Sequence, residues 1–334
     1  MSDIIVVGAA ILDVLVQPAG PDVFVKGSYP AERIMMSTGG DAMNQAAVLA
    51  RLGCHPALVG IIGADEAGGS ILEHCRKLGI DARGLHQKAG LDTGINVVLI
   101  DEQGERHFLT NPHGSLRRLT LEDIQMEIVP DTKILSFASI FVFPLLKDAQ
   151  MAALFQKGKE QGLVICADMT KCKNQETTED IAQSLRWIDY LFANYEEGSM
   201  VTGKTDLREI GEDFLAHGVK NVVLKLGGEG CFIKNQKAEY QIPAYADAHC
   251  VDTTGAGDSF AAGFLFALSE GYTLEECGRW GNACGSLAIE QVGATVGITD
   301  RGQVRSRYEK LLRKCKYTFE QNCGITIDRW NKEA

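Results

Sequence analysis

VDTTGAGDSF, residues 251–260, leads directly into the apolar stretch AAGFLFAL, residues 261–268. Two glycines around a small residue, Gly255-Ala256-Gly257, allow backbone amides to point into one concavity, and a helix beginning there adds its N-terminal dipole. The pattern predicts an anion site that suits phosphate oxygens or a developing negative charge. Asp258 would repel a phosphate, but it could take a proton from an attacking hydroxyl. On spacing alone, helix N-capping explains Asp258 equally well.

Predicted strands and helices alternate along the chain from about residue 130. Strands are expected at 134–137, 163–167, 190–193, 221–225 and 231–234. Helices are expected at 149–160, 179–185, 206–216, 258–269, 274–291 and 305–314. Such alternation implies βαβ crossovers, so we expect an α/β fold with a mostly parallel sheet and helices on both faces.

The N-terminal half combines similar elements with a separate group of strands. A strand is expected at 4–7, a helix at 42–52, a strand at 57–62, and a helix at 69–78 capped by Gly79. Residues 23–36 look like further strand material, and strands at 95–100 and 106–110 flank Asp101-Glu102-Gln103-Gly104, which is typical of a hairpin. We therefore expect a small β element that stands off the main body.

A second candidate segment is STGGDAMNQA, residues 37–46, in which the paired glycines Gly39 and Gly40 precede a predicted helix. Such glycines allow a ligand to approach the backbone. Asp41 and Asn44 are three residues apart and share one helix face, which suits the hydroxyls of a polyol. An N-cap at Asp41 and a surface Asn44 are the alternative.

Two further segments follow predicted strands, where ligands of open α/β sheets bind. Asn194-Tyr195-Glu196-Glu197 carries carboxylates that could hold Mg²⁺, although acids at a helix start are also favoured by the helix dipole alone. Lys225-Leu226-Gly227-Gly228-Glu229-Gly230 could contact a nucleotide. A tight hairpin turn explains this second segment equally well.

Residues 198–205, GSMVTGKT, match the P-loop pattern G-x-x-x-x-G-K-[ST]. A P-loop begins directly after a strand, whereas 196–201 is predicted to be a short helix that ends at Gly203. We therefore expect no P-loop here. A P-loop ATPase that depends on Lys204 remains a rival hypothesis.

Composition excludes several classes of protein. A net charge of −11 over 334 residues disfavours DNA or RNA as a partner. The 10 cysteines form no C-x-x-C pair and no zinc pattern, so we expect reduced thiols. The first residues lack the basic region of a signal peptide, and no apolar run reaches the ~18 residues of a membrane span. A cytoplasmic protein without membrane contact is expected.

Taken in order, these segments resemble the ribokinase (PfkB) family of carbohydrate kinases over about residues 3–300. The resemblance is carried by DTTGAGDSFAAGF at 252–264, GGDAMNQAAVLARLG at 39–53 and NYEEGSMVTG at 194–203. It implies a single three-layer α/β/α sandwich over 1–334 with a small β-sheet lid, built from about 14–36 and 93–113. It also implies a sugar as acceptor and Mg-ATP as phosphoryl donor.

The resemblance also implies roles for individual residues. Asp258 is the expected base, and the expected anion hole consists of Gly255, Ala256 and Gly257. Substrate contacts are expected from Asp13, Gly39, Gly40, Asp41 and Asn44. Nucleotide contacts are expected from Asn194, Lys225, Gly227, Gly230 and Asn282, with Glu197 near Mg²⁺ through water. Asp252, Thr254 and Gly293 resemble the family's ligands for a monovalent cation, so K⁺ is expected. Lid strands in such enzymes pair between subunits, which implies a homodimer.

Two positions depart from ribokinases and leave the sugar open. Asp41 stands where many ribokinases carry a Lys, and the strand predicted near 139–143 lacks their substrate-contacting Glu. We expect a kinase that phosphorylates a primary hydroxyl of a ribose- or fructose-like sugar. The alternative is a nucleoside kinase whose base would contact Phe108, Phe141 and Phe143. A sugar sensor without catalysis is a weaker alternative, because the GAGD segment is intact.

Overall fold

The computed structural model describes residues 3–103, 106–126 and 128–323. Gly104, part of the predicted hairpin turn, lies outside the described residues. The strands are β1 (Ile4–Val7), β2 (Ile11–Gln17), β3 (Arg33–Gly39), β4 (Pro56–Gly63), β5 (Leu85–Lys88), β6 (Ile95–Ile100), β7 (Arg106–Thr110), β8 (Ile134–Ile140), β9 (Val164–Met169), β10 (Tyr190–Asn194), β11 (Asn221–Lys225), β12 (Cys231–Asn235) and β13 (Glu239–Ile242). The helices are α1 (Asp41–Arg51), α2 (Glu66–Leu78), α3 (Asp148–Glu160), α4 (Ala182–Leu185), α5 (Tyr195–Thr202), α6 (Leu207–Ala216), α7 (Ala256–Ser269), α8 (Leu274–Ala288) and α9 (Arg301–Cys323).

Within these residues the main sheet has nine strands in the order β13-β12-β11-β10-β9-β8-β1-β4-β5. All neighbours from β11 to β5 pair in parallel, whereas β12 and β13 add an antiparallel edge. Parallel strands place their carboxyl ends along one side of the sheet, which is where ligands bind in such folds. The predicted mostly parallel sheet is confirmed.

Strand β1 shows why helices cover both faces of this sheet. Its sequence IIVV is entirely apolar, and successive side chains of a strand point to opposite faces. Ile4 and Val6 join a core that includes residues of α1, α7 and α8. Ile5 and Val7 join a second core that includes residues of α3 and α6. The predicted three-layer α/β/α sandwich therefore follows from two separate apolar cores.

A second, smaller sheet has the strand order β3-β2-β6-β7. In it, β2 pairs antiparallel with β3 and parallel with β6, and β6 and β7 form the hairpin expected at 95–110. The strand material expected at 23–36 is wrong for 23–32, since strand structure begins only at Arg33. Strand β2 was not predicted because Asp13 interrupts its apolar run.

Other differences concern short or edge elements. The strand predicted at 139–143 is wrong beyond Ile140, because the chain turns at Phe141, whose φ is 73°. Strands β5 and β13, four residues each, were also not predicted. Their polar residues lie at sheet edges, where one side of a strand needs no apolar cover.

Helix α7 is buried on all sides, from Ser259 to Ala267, because it packs between the sheet and α8. Gly263 allows the close approach of α8. A Cβ atom at Gly263 would lie 2.7 Å from the Trp280 carbonyl oxygen and 2.6 Å from the Cys284 sulfur. Gly69 of α2 is the opposite case, since a Cβ there would meet no atom within 4 Å.

We expect Gly263→Ala to lower the free energy of unfolding by about 1–3 kcal/mol, because the new methyl group meets backbone that cannot easily move. The matched variant Gly69→Ala should raise it by about 0.5–1 kcal/mol, since alanine favours the helix and has space. Urea unfolding followed by circular dichroism measures both values. Equal effects of the two substitutions would contradict this account of α7 and α8.

Candidate active site

The carboxyl ends of four neighbouring strands, β8 to β11, meet the N-terminus of α7 around a cavity of about 320 Å³. Several of the side chains singled out in the sequence line it together. The lining includes Asp41, Asp168, Thr170, Asn194, Glu197, Lys225, Gly227, Gly257 and Asp258. The cavity therefore collects four carboxylates around one lysine.

Asp258 is the third residue of α7, and its side chain does not cap the helix. Gly255 occupies the N-cap position with φ 69°, where a Cβ would lie 2.1 Å from the Ala294 carbonyl oxygen. The Asp258 carboxylate instead accepts a hydrogen bond of 2.7 Å from the Asn44 side-chain amide. Burial, and next the nearby charge of Asp41, raise the pKa of Asp258 well above its ordinary value. The arrangement favours a proton acceptor over a helix cap.

The start of α7 lines the same cavity through Gly257 and Asp258. Of the expected anion hole of Gly255, Ala256 and Gly257, the Ala256 amide already has a partner, since it donates to the Thr253 carbonyl at 3.3 Å. The amides of Gly257 and Asp258 belong to the first helical turn, whose N–H groups have no acceptor within a helix. They are the donors best placed to hold an anion beside Asp258.

Asp41 begins α1, opposite Asp258. The N-cap of α1 is Gly40, with φ 91°, so the alternative of Asp41 as an N-cap is wrong. The Ser139 hydroxyl, from β8, donates to the Asp41 carboxylate. Burial raises the pKa of Asp41 despite this bond. Ser139 was not among the expected site residues.

Asp13 reaches the site from the small sheet. Its carboxylate accepts from the Asn96 amide at 3.1 Å, and the Thr110 hydroxyl donates to Asn96 at 2.8 Å. A Cβ at Gly39 would lie only 2.0 Å from Asp13 Oδ2, so only glycine allows this carboxylate to lie over the start of α1. Burial raises the pKa of Asp13. The small sheet thus presents a row of polar groups to the acceptor side of the site.

Lys225 and Asp168 form a buried ion pair of 2.6 Å at the ends of β11 and β9. Burial raises the pKa of Asp168 to about 7, even though Lys225 counteracts this effect. Burial alone would lower the pKa of Lys225, but Asp168 and Glu197 reverse that effect and raise it. Asp168 was missed in the sequence. Its signal was an acid directly after the predicted buried strand 163–167.

Asn194 and Glu197 close a capping box at the start of α5. The Asn194 side chain accepts from the Glu197 amide at 2.8 Å, and the Glu197 carboxylate accepts from the Asn194 amide at 2.7 Å. Glu197 also lines the cavity, and burial raises its pKa. Glu197 therefore does have the structural role at a helix start that the sequence suggested. Its second carboxylate oxygen remains available to another partner.

A second cavity of about 420 Å³ lies on the other side of Lys225 and is mainly apolar. It is lined by Gly227, Gly228, Gly230, Ala244, Tyr245, Ala248, Phe260, Asn282 and Ile289, among others. Gly230 has φ 98°, and a Cβ there would lie 2.0 Å from the Ile242 carbonyl oxygen. The Asn282 amide donates to the carbonyls of Ile242 and Pro243, which fixes the cavity wall. This shape suits a flat heterocycle.

Asp252, Thr254 and Gly293 come together beside the start of α7. The Asp252 carboxylate accepts from the amides of Thr254 and Gly293, each at 2.8 Å. The Thr254 Oγ1 atom is buried and has no hydrogen-bond partner in the described structure. Among those same residues, no group of three or more His, Cys, Asp or Glu could hold a metal.

The P-loop pattern is not a phosphate loop in the structure. Residues 195–202 form α5, and Gly203, with φ 69°, ends it as predicted. Lys204 is exposed outside the cavities described above. Of the helices in the described part of the chain, none is both long and apolar enough to cross a membrane.

Comparison with known proteins identifies the family. The model for pfkB family carbohydrate kinases matches residues 1–301. A ribokinase of Arabidopsis thaliana is 31% identical over 315 residues, 87% of this chain and 79% of that protein. An ATP-dependent ribose-1-phosphate kinase of Halopiger xanaduensis is 28% identical over 274 residues, 82% of this chain and 87% of that protein.

A solved structure of Arabidopsis thaliana ribokinase complexed with ribose and ATP has a TM-score of 0.77 to this chain. It is 26% identical, and the alignment covers 92% of this chain and 99% of that one. The family match, the relatives and the shared fold agree. This chain belongs to the pfkB family of carbohydrate kinases and is a phosphotransferase that acts on an alcohol group.

Proposed function

We propose that this protein transfers the γ-phosphoryl group of Mg-ATP to a primary hydroxyl of a small sugar, with Asp258 as the general base. The observation that carries the proposal is the position of Asp258. Its carboxylate lies in the first turn of α7, where amides have no acceptor within a regular helix, and accepts a hydrogen bond from Asn44. A base and an anion site are thereby one residue apart.

The chain's own groups have distinct tasks in this proposal. Asp258 accepts the proton of the acceptor hydroxyl, while Asp13 and Asp41 orient the other hydroxyls. The amides of Gly257 and Asp258 stabilise negative charge on the transferred group. Lys225 lies next to Gly257, where a Cβ would be 3.4 Å from its Nζ atom, so its charge faces the same group. Mg-ATP supplies the phosphoryl group and the metal charge that neutralises it.

Mg²⁺ and K⁺ fit groups that are present. Mg²⁺ is usually held by one or two carboxylates and by substrate phosphates, which agrees with Glu197 and Asp168 in the catalytic cavity. The buried, unpartnered Thr254 oxygen supports a monovalent cation beside Asp252. ADP release from Mg-ATP in the presence of a sugar, measured with and without K⁺, tests this site. The apolar cavity beyond Lys225 fits the adenine of ATP.

A sugar is favoured over a nucleoside by the polar lining of the acceptor side. Asp13, Asn96, Asp41 and Asn44 all offer groups suited to hydroxyls. Of the three aromatic residues considered for a base, only Phe143 is buried in the core, whereas Phe108 is 59% exposed and Phe141 is half-buried. The relatives named above act on ribose or on ribose 1-phosphate by name, which supports a carbohydrate.

We expect Asp258→Asn to lower kcat by about 10²- to 10⁴-fold, because the hydroxyl loses its proton acceptor while the shape of the site is kept. Lys204→Ala should retain wild-type activity, since Lys204 lies outside the site. ADP release with Mg-ATP and a panel of sugars and nucleosides measures both. Loss of activity in Lys204→Ala, with Asp258→Asn unaffected, would favour the P-loop hypothesis.

The raised pKa of Asp258 predicts a pH dependence. The carboxylate must be ionised to accept a proton, so kcat/KM for the acceptor should fall as the pH is lowered through this pKa. Asp41→Asn removes a negative charge that raises the pKa of Asp258. The acidic limb of the kcat/KM profile should therefore move to lower pH. An unchanged acidic limb in Asp41→Asn would show that another group controls it.

We also propose a homodimer formed through the small sheet, which acts as a lid. The pairing register places Ile34, Met36 and Leu109 on the face opposite Asp13, and they are 67%, 73% and 54% exposed. Apolar side chains on an exposed sheet face are typical of an interaction surface.

Met36→Lys should convert the dimer to a monomer, since it buries a charge in the apolar contact. The matched control Met200→Lys changes an exposed methionine of α5 and should leave the dimer intact. Sedimentation velocity measures the mass of each species. A wild-type monomer at micromolar concentration would refute the lid dimer.

A further inference from the structure

A third cavity, of about 570 Å³, opens between the loops that follow β8 and β9. Its lining includes Arg117, Phe141, Lys147, Lys173 and Glu176. The same two strands reach the catalytic cavity, through Ala138 and Thr170. Ala138 and Phe141 are three positions apart, as are Thr170 and Lys173, so the third cavity adjoins the acceptor side of the site.

Both loops have unusual backbone conformations. Phe141 (φ 73°) and Gln175 (φ 60°) are the residues other than glycine with left-handed φ in the described chain. Such conformations cost energy and concentrate at ligand sites. The second loop is held by Glu176, which accepts from the amides of Lys173 and Asn174 at 3.1 and 2.8 Å. The two loops are therefore fixed in shape around the cavity.

Three cations of this lining, Arg117, Lys147 and Lys173, form no ion pair with an acid among the described residues. Arg117 donates from Nη1 to the Val142 carbonyl at 2.9 Å, which leaves its other N–H groups available. Lys173 forms no ion pair there. Its pKa is lowered by burial and then by repulsion from Arg117, while the charges of Asp41 and Glu176 act in the opposite direction. Lys173 thus lies within electrostatic reach of both Arg117 and the acceptor pocket.

The acids of the same lining are already occupied. Asp148 accepts from the amides of Gln183 and Ser184 at 3.0 and 2.8 Å. Asp180 accepts from the amide and hydroxyl of Thr177 at 2.8 and 2.9 Å. Neither carboxylate forms an ion pair with Arg117 or Lys173 among the described residues. Arg117 and Lys173 therefore keep N–H donors that a ligand can use.

We propose that the sugar acceptor carries an anionic group, a carboxylate or a phosphate ester, which binds between Arg117 and Lys173. The guanidinium can donate two N–H groups to the oxygens of either anion, and Lys173 adds a point charge. The acceptor hydroxyl then lies toward Asp258, with Asp41 between the two ends. This inference rests on the kinase function proposed above.

Matched acceptors test the class of substrate. D-fructose, D-fructuronate and D-fructose 6-phosphate form one set, and D-ribose, D-ribonate and D-ribose 5-phosphate form another. ADP release, with mass spectrometry of the product, gives kcat/KM for each. An acidic or phosphorylated member should exceed its neutral parent by roughly 10- to 100-fold, and the better of the two identifies the anion. The inference would be overturned by equal kcat/KM values for the neutral parents, or by the absence of ADP release with every anionic acceptor.

Lys173→Met should raise KM for the anionic acceptor by about 10- to 100-fold. Its kcat, and its KM for ATP, should stay near wild type, because Lys173 lies away from Asp258 and the nucleotide cavity. Lys171→Met is the matched control, since Lys171 is on the same loop, pairs with Glu196 and does not line the cavity. Equal KM values in the two variants would contradict the role of Lys173.

Calorimetry of the anionic acceptor with Asp258→Asn protein, without ATP, separates this inference from the kinase function. Binding that Lys173→Met weakens supports the anion site even where turnover is abolished. An inactive Asp258→Asn enzyme combined with unchanged binding by Lys173→Met overturns the anion site alone. Full activity of Asp258→Asn overturns the proposed function, and the binding measurement still decides the anion site.

Discussion

The ion pair between Lys225 and Asp168 is the interaction on which the catalytic cavity depends. Four carboxylates, Asp41, Asp168, Glu197 and Asp258, line that cavity with Lys225 as the cation. Carboxylates that line one cavity raise one another's pKa by repulsion, and burial adds to the effect. Lys225 keeps Asp168 and Glu197 compatible with the fold. Without a further cation the cluster remains electrostatically unbalanced, which prepares it for the metal of a nucleotide complex.

Helix α7 connects this electrostatic cluster with the hydrophobic core. Its body is buried because Gly263 admits α8 at close range, and its first turn therefore cannot shift when charge develops nearby. Gly255 in a left-handed conformation sets the direction in which the helix begins. Preorganised amides stabilise a charge most when they need not reorient. The packing of α7 thus holds in place the turn that carries Asp258.

The fold and much of the site were predictable because their signals are local. Apolar strands such as β1 and the glycine pattern before Asp258 determine their own structure within a few residues. Asp168 was missed because its importance comes from Lys225, 57 positions away, and Ser139 because its partner Asp41 is 98 positions away. Strand β2 was missed because Asp13, which looks like an interruption, points into the site. A polar residue whose partner is distant along the chain has at most a weak local signal, such as the position of Asp168 directly after a predicted strand.

The features that distinguish this protein lie outside the main sheet and helix α7. The sheet and α7 depend on apolar packing, whereas the acceptor side is built from the small sheet and the loops after β8 and β9. Asp41, which accepts a hydrogen bond from Ser139, places negative charge in the inner pocket. Arg117 and Lys173 place positive charge farther out. Selectivity would then come from the order of charges along the pocket, negative near Asp258 and positive at the far end, since a ligand must match both.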